Sequence, residues 1–175
     1  MIDHVGLLVR SVERAAEALA RLGVGSIGPK DAFPGEGTAE IYVGDSERGA
    51  KLLLMEAIGP GPYRRALERR GPGLHHVALV VDGVEAAVER GVAAGWKLKK
   101  PGKVSWLACP GLPLVELVPR GTTASPVVTE VAHPTGSDAA SKLEALGLAT
   151  FIRPAAPGEA GLVLDGRRIL VKELT

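Results

Sequence analysis

Two histidines stand at equivalent places in two similar apolar stretches of this chain. His4 lies in Ile2-Asp3-His4-Val5-Gly6-Leu7-Leu8-Val9, and His76 in Leu74-His75-His76-Val77-Ala78-Leu79-Val80-Val81. Laid over each other without a gap, residues 2–24 and 74–96 share nine identities in twenty-three positions, His4/His76 among them. A repeat of this length is one supersecondary unit used at least twice. If the two units pack about an approximate twofold axis, both imidazoles point into the space between them. Glu116, in Leu114-Val115-Glu116-Leu117, interrupts an otherwise apolar strand at the end of the second unit. A charge there is expensive to bury unless it is paired or ligates a metal. Two His and one Glu form the 2-His-1-carboxylate set, which leaves coordination positions open for water or substrate. With no thiolate in the set, the divalent metals it suits are Fe, Mn, Co, Ni or Zn. A lone strand histidine is more often a packed residue; the equivalent placement of two, with Glu116, is what points to a metal.

Other side chains carry weaker signals. Glu40, shortly after the Gly37 loop, could face the same space as a general base, since a carboxylate near a bound substrate can move a proton alpha to a carbonyl. An exposed strand position is the commoner explanation for it. His75 should point away from His76 by strand alternation, and His133, beside Pro134, falls out of register with the ligand positions. Arg64, Arg65, Arg69 and Arg70 could hold a phosphate or carboxylate tail, although a solvated helix face explains them too. No activating environment is readable around Cys109.

The elements that must position these residues follow in order. Residues 2–9 read as a strand covered on both faces. Ser11 is a plausible N-cap for a helix with Val12, Ala15, Ala16, Leu19 and Leu22 inward, ended by Gly23. Gly23-Val24-Gly25-Ser26-Ile27-Gly28 matches G-x-G-x-x-G but follows a helix and leads into Pro29, so it is no dinucleotide site. A second strand is expected near 24–28, a loop over 29–37, a strand over 38–43, a turn over 45–49 and a returning strand over 50–57. After Gly59-Pro60-Gly61-Pro62 comes a short basic helix over 63–70. The second unit repeats the order: a strand from Leu74, a helix capped by Asp82, and strands over 96–100, 102–109 and 112–118. Residues 121–125 (GTTAS) form a linker. A third, degenerate copy then reads as strand 127–132, helix 137–146 and strands 150–153, 161–164 and 168–174, with Glu130 at the histidine position. An odd copy invites pairing with its equivalent in a second subunit, so a homodimer is expected.

Composition narrows the class. Of 175 residues, 46% are hydrophobic and 23% charged, with a net charge of +1. Nucleic-acid and membrane-surface partners usually demand a basic excess that is missing here, and no apolar run reaches the ~20 residues of a membrane span. The chain opens directly on a strand pattern, which reads as no signal peptide. One cysteine excludes an internal disulfide and fits a reducing cytoplasm. There is no Asn and no Gln beside 13 Pro, a depletion that suits a thermophile or a GC-rich genome.

The stretches IDHVGLLV with its helix, LLLMEAIGP, GPGLHHVALVVDGVEAAVERG and LVELV resemble the vicinal oxygen chelate superfamily. That group includes glyoxalase I, methylmalonyl-CoA epimerase, extradiol dioxygenases and the bleomycin- and fosfomycin-resistance proteins; the wording around GLHHVAL is most similar to the epimerases. The resemblance covers about residues 2–118 and implies an α+β fold of paired βαβββ modules, glyoxalase-like, with a third degenerate βαβββ module beyond. It implies a two-module domain over 1–120 (modules 1–58 and 74–120, linker helix 59–73) and the third module over 121–175. It also implies metal ligands at His4, His76 and Glu116, with a fourth position at Leu53 or Glu56 depending on how the fourth strands are overlaid. Strand parity puts 53 and 56 on opposite faces. Leu53 there would leave three ligands, or a decayed site with no metal. The implied activity is a glyoxalase/epimerase-like, metal-dependent lyase or isomerase. It would act on a small keto or acyl metabolite through a metal-stabilised enolate, with Glu40, Glu116 or Glu56 as the carboxylate that moves the proton. The alternatives are an Fe(II) dioxygenase and a metal-free, resistance-type binder of a small ligand.

Overall fold

The computed structural model describes residues 1–24, 26–44, 51–120 and 128–174. The turn expected over 45–49, the linker over 121–125 and Gly25 of the G-x-G-x-x-G match lie outside these residues. The first unit runs β1 (Ile2–Val9), α1 (Val12–Arg21), β2 (Ile27–Phe33), β3 (Thr38–Val43) and β4 (Lys51–Ala57). Helix α2 (Pro62–Arg70) leads to the second unit: β5 (Gly73–Val81), α3 (Val84–Ala93), β6 (Lys97–Lys100), β7 (Ser105–Ala108) and β8 (Leu114–Pro119). A third stretch carries β9 (Val128–His133), α4 (Ala139–Ala145), β10 (Ile152–Pro154), β11 (Gly161–Leu164) and β12 (Arg167–Leu170). No helix among the described residues is long and apolar enough to cross a membrane.

The first two units share one eight-stranded sheet in the order β2-β3-β4-β1-β5-β8-β7-β6. Its centre is the antiparallel pair β1/β5, in which Val5 faces Val77. Each of these strands runs parallel to the last strand of its own unit, β4 or β8. The two halves are thus related by a pseudo-twofold axis through Val5 and Val77. Alternation along β1 explains its nearly continuous apolar character. Val5, Leu7 and Val9 enter the main core under α1 and α3. Leu8 lies on the other face, packed with Leu53 and Met55 against Ala66 and Leu67 of α2.

Local chemistry sets the ends. Ser11 caps α1 by accepting from the Arg14 amide at 3.3 Å, and Gly23 closes it at φ +66°, a conformation that favours glycine. Asp82 does not cap α3. That cap is Gly83, without a side-chain bond, because the Asp82 carboxylate is drawn to Arg120 across the end of β8. Residues 29–33, expected as loop, belong to β2. This edge strand tolerates Pro29 because its register with β3 slips between Ile27 and Lys30, relieving the missing N–H.

The third stretch keeps the β-α-β-β-β order of elements but wires its sheet differently, as β10-β9-β11-β12. Its first strand pairs in parallel with the strand after the helix, whereas β1 and β5 pair with the last strand of their units. Residues 171–173, expected to extend the last strand, form a 3-10 turn. The stretch joins the main core: Val131, Leu143, Leu148 and Ile152 are buried in it. The Trp96 indole N–H donates to the Lys142 carbonyl at 3.0 Å. Glu130 pairs with Arg153 at 2.9 Å, remote from both histidines of the repeat.

Candidate metal centre

The pairing of β1 with β5 brings His4 and His76 together on the concave face. Their Nε2 atoms lie 2.8 Å apart. The Glu116 carboxylate, from β8, stands 3.5 Å from His4 Nε2 and 3.8 Å from His76 Nε2. All three donor atoms fall within 4.8 Å of one another. Bonds of about 2.1 Å at right angles place two nitrogen donors about 3.0 Å apart, so these atoms fit the corners of one coordination sphere. His4 and His76 are buried, and Glu116 is half-buried.

The remaining ring nitrogens are held as well. His4 Nδ1 is 2.8 Å from the Asp3 carboxylate, and His76 Nδ1 is 3.0 Å from His75 Nδ1. Asp3 and His75 occupy equivalent places in the repeat, and each is the extra residue of a bulge. The register passes from Ile2↔Leu79 to His4↔Ala78, which skips Asp3, and from Gly6↔His76 to Leu7↔Leu74, which skips His75. A bulge re-aims side chains against simple alternation. That is why His75, expected to point away from His76, instead reaches its ring and packs on Tyr63 at 5.1 Å. Such partners fix the tautomer and orientation of ligating imidazoles.

Strand register places the fourth position. Gly6 faces Leu53 in β1/β4, and Ala78 faces Glu116 in β5/β8. Since Gly6 and Ala78 are equivalent in the repeat, Leu53 is the counterpart of Glu116. Glu56 faces Val9, as Pro119 faces Val81, and the structure does not bring Glu56 to the cluster. Its carboxylate accepts from the Val12 amide at 3.1 Å, at the positive end of α1.

His4, His75, His76, Glu116 and Leu53 line a cavity of about 730 Å³. Tyr42 and Trp106 form its aromatic walls and are again repeat-related, facing Leu53 and Glu116 respectively. Tyr42 meets His4 edge-on at 6.0 Å, and Trp106 meets His76 at 5.1 Å. Glu40 lines the cavity too, accepting from the Thr38 hydroxyl at 3.0 Å. Lys99 and Lys100 supply its cations, together with Glu36 as a further anion. None of the four α2 arginines lines it. Arg64 donates to the Ala57 carbonyl and Arg69 to that of Arg65, while Arg70 and His133 line a smaller cavity of about 360 Å³.

Burial dominates the electrostatics. It presses His76 well below the ordinary histidine range, helped by His4 and His75. Burial and then Arg70 lower His75 to about 4. Glu116 and Glu40 are pushed up, chiefly by burial; the bond from Thr38 pulls the other way on Glu40. Asp3 is held down, first by its bond with His4. Tyr42 and Tyr63 rise to about 12 as burial disfavours the phenolate. The site therefore sets two imidazoles that burial keeps neutral, His75 and His76, beside a carboxylate, Glu40, that is more basic than usual.

A profile of the Glyoxalase/Bleomycin resistance protein/Dioxygenase superfamily matches residues 3–108. Among solved structures, a hypothetical protein from Bacillus halodurans C-125 is similar at 21% identity and TM-score 0.59, over 71% of this chain and 97% of that one. Methylmalonyl-CoA epimerase from Mycobacterium tuberculosis is similar at 23% identity and TM-score 0.55, over 69% and 87%. A Streptomyces coelicolor methylmalonyl-CoA epimerase variant in complex with 2-nitronate-propionyl-CoA gives 23% and 0.55, over 72% and 98%. At these identities the likeness is one of fold. No curated protein matches the chain.

Proposed function

The chain belongs to the Glyoxalase/Bleomycin resistance protein/Dioxygenase superfamily, and on that premise we propose that it is a metal-dependent enzyme of the glyoxalase/epimerase kind. It would move a proton alpha to the carbonyl of a small keto or acyl metabolite. The observation that carries this reading is the convergence of His4, His76 and Glu116 in the cavity that also holds Glu40. His4, His76 and Glu116 would hold one divalent cation. That cation would act as a Lewis acid toward neighbouring oxygens of a substrate.

The rest falls to the chain's own side chains. Glu40, raised by burial, takes the alpha proton and returns it, because a base is most useful when its pKa nears the working pH. Thr38 holds the Glu40 carboxylate through Oε1, which fixes the direction of its free oxygen. Tyr42, Trp106 and Leu53 exclude water around the reacting carbon. Lys99 and Lys100 offer their charges to an anionic tail, in keeping with the acyl-CoA complex of the Streptomyces coelicolor relative. Glu56 has no part in this reading, since it is occupied at the start of α1.

One observation supports a second reading. With Leu53 at the fourth position, the donors are the 2-His-1-carboxylate set of Fe(II) oxygenases. The test is metal content by mass spectrometry after loading with Fe, Mn, Co, Ni or Zn. It is followed by deuterium exchange at the alpha carbon of short acyl-CoA thioesters and alpha-keto acids in D2O. Exchange by the loaded protein, lost in Glu40→Gln, supports the proton-transfer reading. Oxygen consumption without exchange supports the second, and absence of any bound metal defeats both.

A further inference from the structure

Asp3, His4, His76 and His75 form an unbroken series of side-chain contacts through the buried centre. It runs Asp3 carboxylate to His4 Nδ1 at 2.8 Å, His4 Nε2 to His76 Nε2 at 2.8 Å, and His76 Nδ1 to His75 Nδ1 at 3.0 Å. Each ring nitrogen of His4 and His76 is engaged. In a neutral imidazole one nitrogen donates and the other accepts, so the directions of the bonds are linked. An ionised Asp3 can only accept, which places the His4 proton on Nδ1 and leaves Nε2 an acceptor. His76 must then donate from Nε2 and accept at Nδ1, and His75 must donate from Nδ1. At pH 8 ordinary imidazoles are neutral and ordinary carboxylates ionised. One direction therefore satisfies all three contacts with no extra proton.

That direction is the wrong one for a ligand. A metal takes the lone pair of Nε2, and in this series His76 Nε2 carries the hydrogen. For His76 to coordinate, its proton must move to Nδ1. His75 Nδ1, 3.0 Å away, must in turn give up its own hydrogen and accept, carrying that proton on Nε2 instead. Two rings exchange tautomers, and the number of bound protons does not change. His4 needs no such change, because Asp3 already leaves its Nε2 free.

We propose that His75 is a positioning residue that must reverse its tautomer for His76 to bind a metal, so that loading turns the His76–His75 bond around. The inference rests on the metal-binding reading above, and its test separates the two. Protein labelled with 15N-histidine is examined at pH 8 by long-range 1H–15N correlation, metal-free and with one equivalent of Zn(II). Assignments come from single-histidine variants. Expected in the metal-free protein are protons on His4 Nδ1, His76 Nε2 and His75 Nδ1. With zinc the protons should lie on His76 Nδ1 and His75 Nε2.

A metal-free spectrum with His4 doubly protonated and His76 already on Nδ1 would overturn the proposal, because no reversal would then be needed. So would one zinc per chain with the His75 proton still on Nδ1. Metal-free tautomers as expected but no zinc uptake would defeat the metal reading, and with it the reversal. His75→Phe supplies a second measurement, since it keeps an aromatic ring against Tyr63 and removes both donor and acceptor. Its zinc affinity, measured calorimetrically on folded protein, should fall about 10- to 100-fold. Unchanged affinity would overturn the positioning role.

Discussion

Gly6 lies directly opposite His76 across the central strand pair, beneath the face of its imidazole. A Cβ built on Gly6 would stand 2.9 Å from His76 Nε2 and nearer still to Cε1 and Nδ1. Its repeat counterpart Ala78 faces His4, so only one half of the pair demands a glycine. Gly6→Ala should leave the fold in place, since a strand accepts alanine, but push the His76 ring off its partners. The expected outcome is a cooperative unfolding transition with zinc affinity lowered about tenfold or more. Calorimetric titration checks it, and wild-type affinity would mean that the ring has room elsewhere.

Because Leu53 and not Glu56 is the register counterpart of Glu116, substitutions at these two positions should give opposite results. Leu53→Gln places an oxygen donor beside His4, His76 and Glu116, and should tighten zinc binding against a competing chelator. It should also lower stability by about 1–3 kcal/mol, because Leu53 is packed with Leu8 and Met55. Glu56→Ala should leave zinc affinity unchanged and cost about 1 kcal/mol in urea unfolding, through loss of its bond to the Val12 amide. If Glu56→Ala lost the metal and Leu53→Gln gained nothing, the register assignment would be wrong.

Glu40→Gln should retain one metal per chain and lower alpha-proton exchange about 10²- to 10⁴-fold. Thr38→Val removes the bond that pulls the Glu40 pKa down. A base acts when deprotonated, so in that variant the acid limb of the pH–rate profile should move to higher pH. A limb that stays in place would show that another group is the base.

Buried histidines make the metal-free fold sensitive to acid. His75, at about 4, and His133 lie below the ordinary 6.5, first through burial and then through Arg70. The folded state therefore binds fewer protons than the unfolded chain, and this stability is complete above pH 6.5 and lost as pH falls toward 4. His75 alone accounts for a loss on the order of 3 kcal/mol. Glu40 and Glu116 are raised, so they act in the opposite sense and lose their share as pH rises. Urea unfolding at pH 8, 6.5 and 5 should show the decline, and Arg70→Ala should make it shallower. No decline between pH 6.5 and 5 would mean that the histidine contribution does not exceed the opposing one from Glu40 and Glu116.

Much of the site was legible because a repeat converts sequence distance into symmetry. Equivalence of His4 and His76, with one carboxylate in an apolar strand, was enough to bring three donors together. What stayed hidden depended on register. Leu53 and Glu56 could not be told apart until the partners of Gly6 and Val9 were known. The bulges at Asp3 and His75 broke the alternation that sent His75 the wrong way. Gly6 had left a signal, a glycine inside a strand where a neighbour approaches closely. Lys99 and Lys100 gave none, since a lysine-rich edge strand ordinarily reads as solubility. In the third stretch the order of elements was readable, but nothing in the residues announced that β9 would pair with β10 rather than β12.

Two identical halves about a twofold axis can offer a cation only even numbers of donors, arranged alike on both sides. Among the four donor positions the halves differ at one pair, Leu53 against Glu116, and the donor count is odd. The half whose last strand lacks a donor is the first unit, which keeps His4 and also carries Glu40. A bound molecule would thus meet two donors on the second unit's flank, and one donor with an acid–base group and an apolar wall on the first unit's. Such a site has two unlike ends, which no twofold assembly of identical units could offer, and it would set the direction in which a bound molecule lies across the central strands.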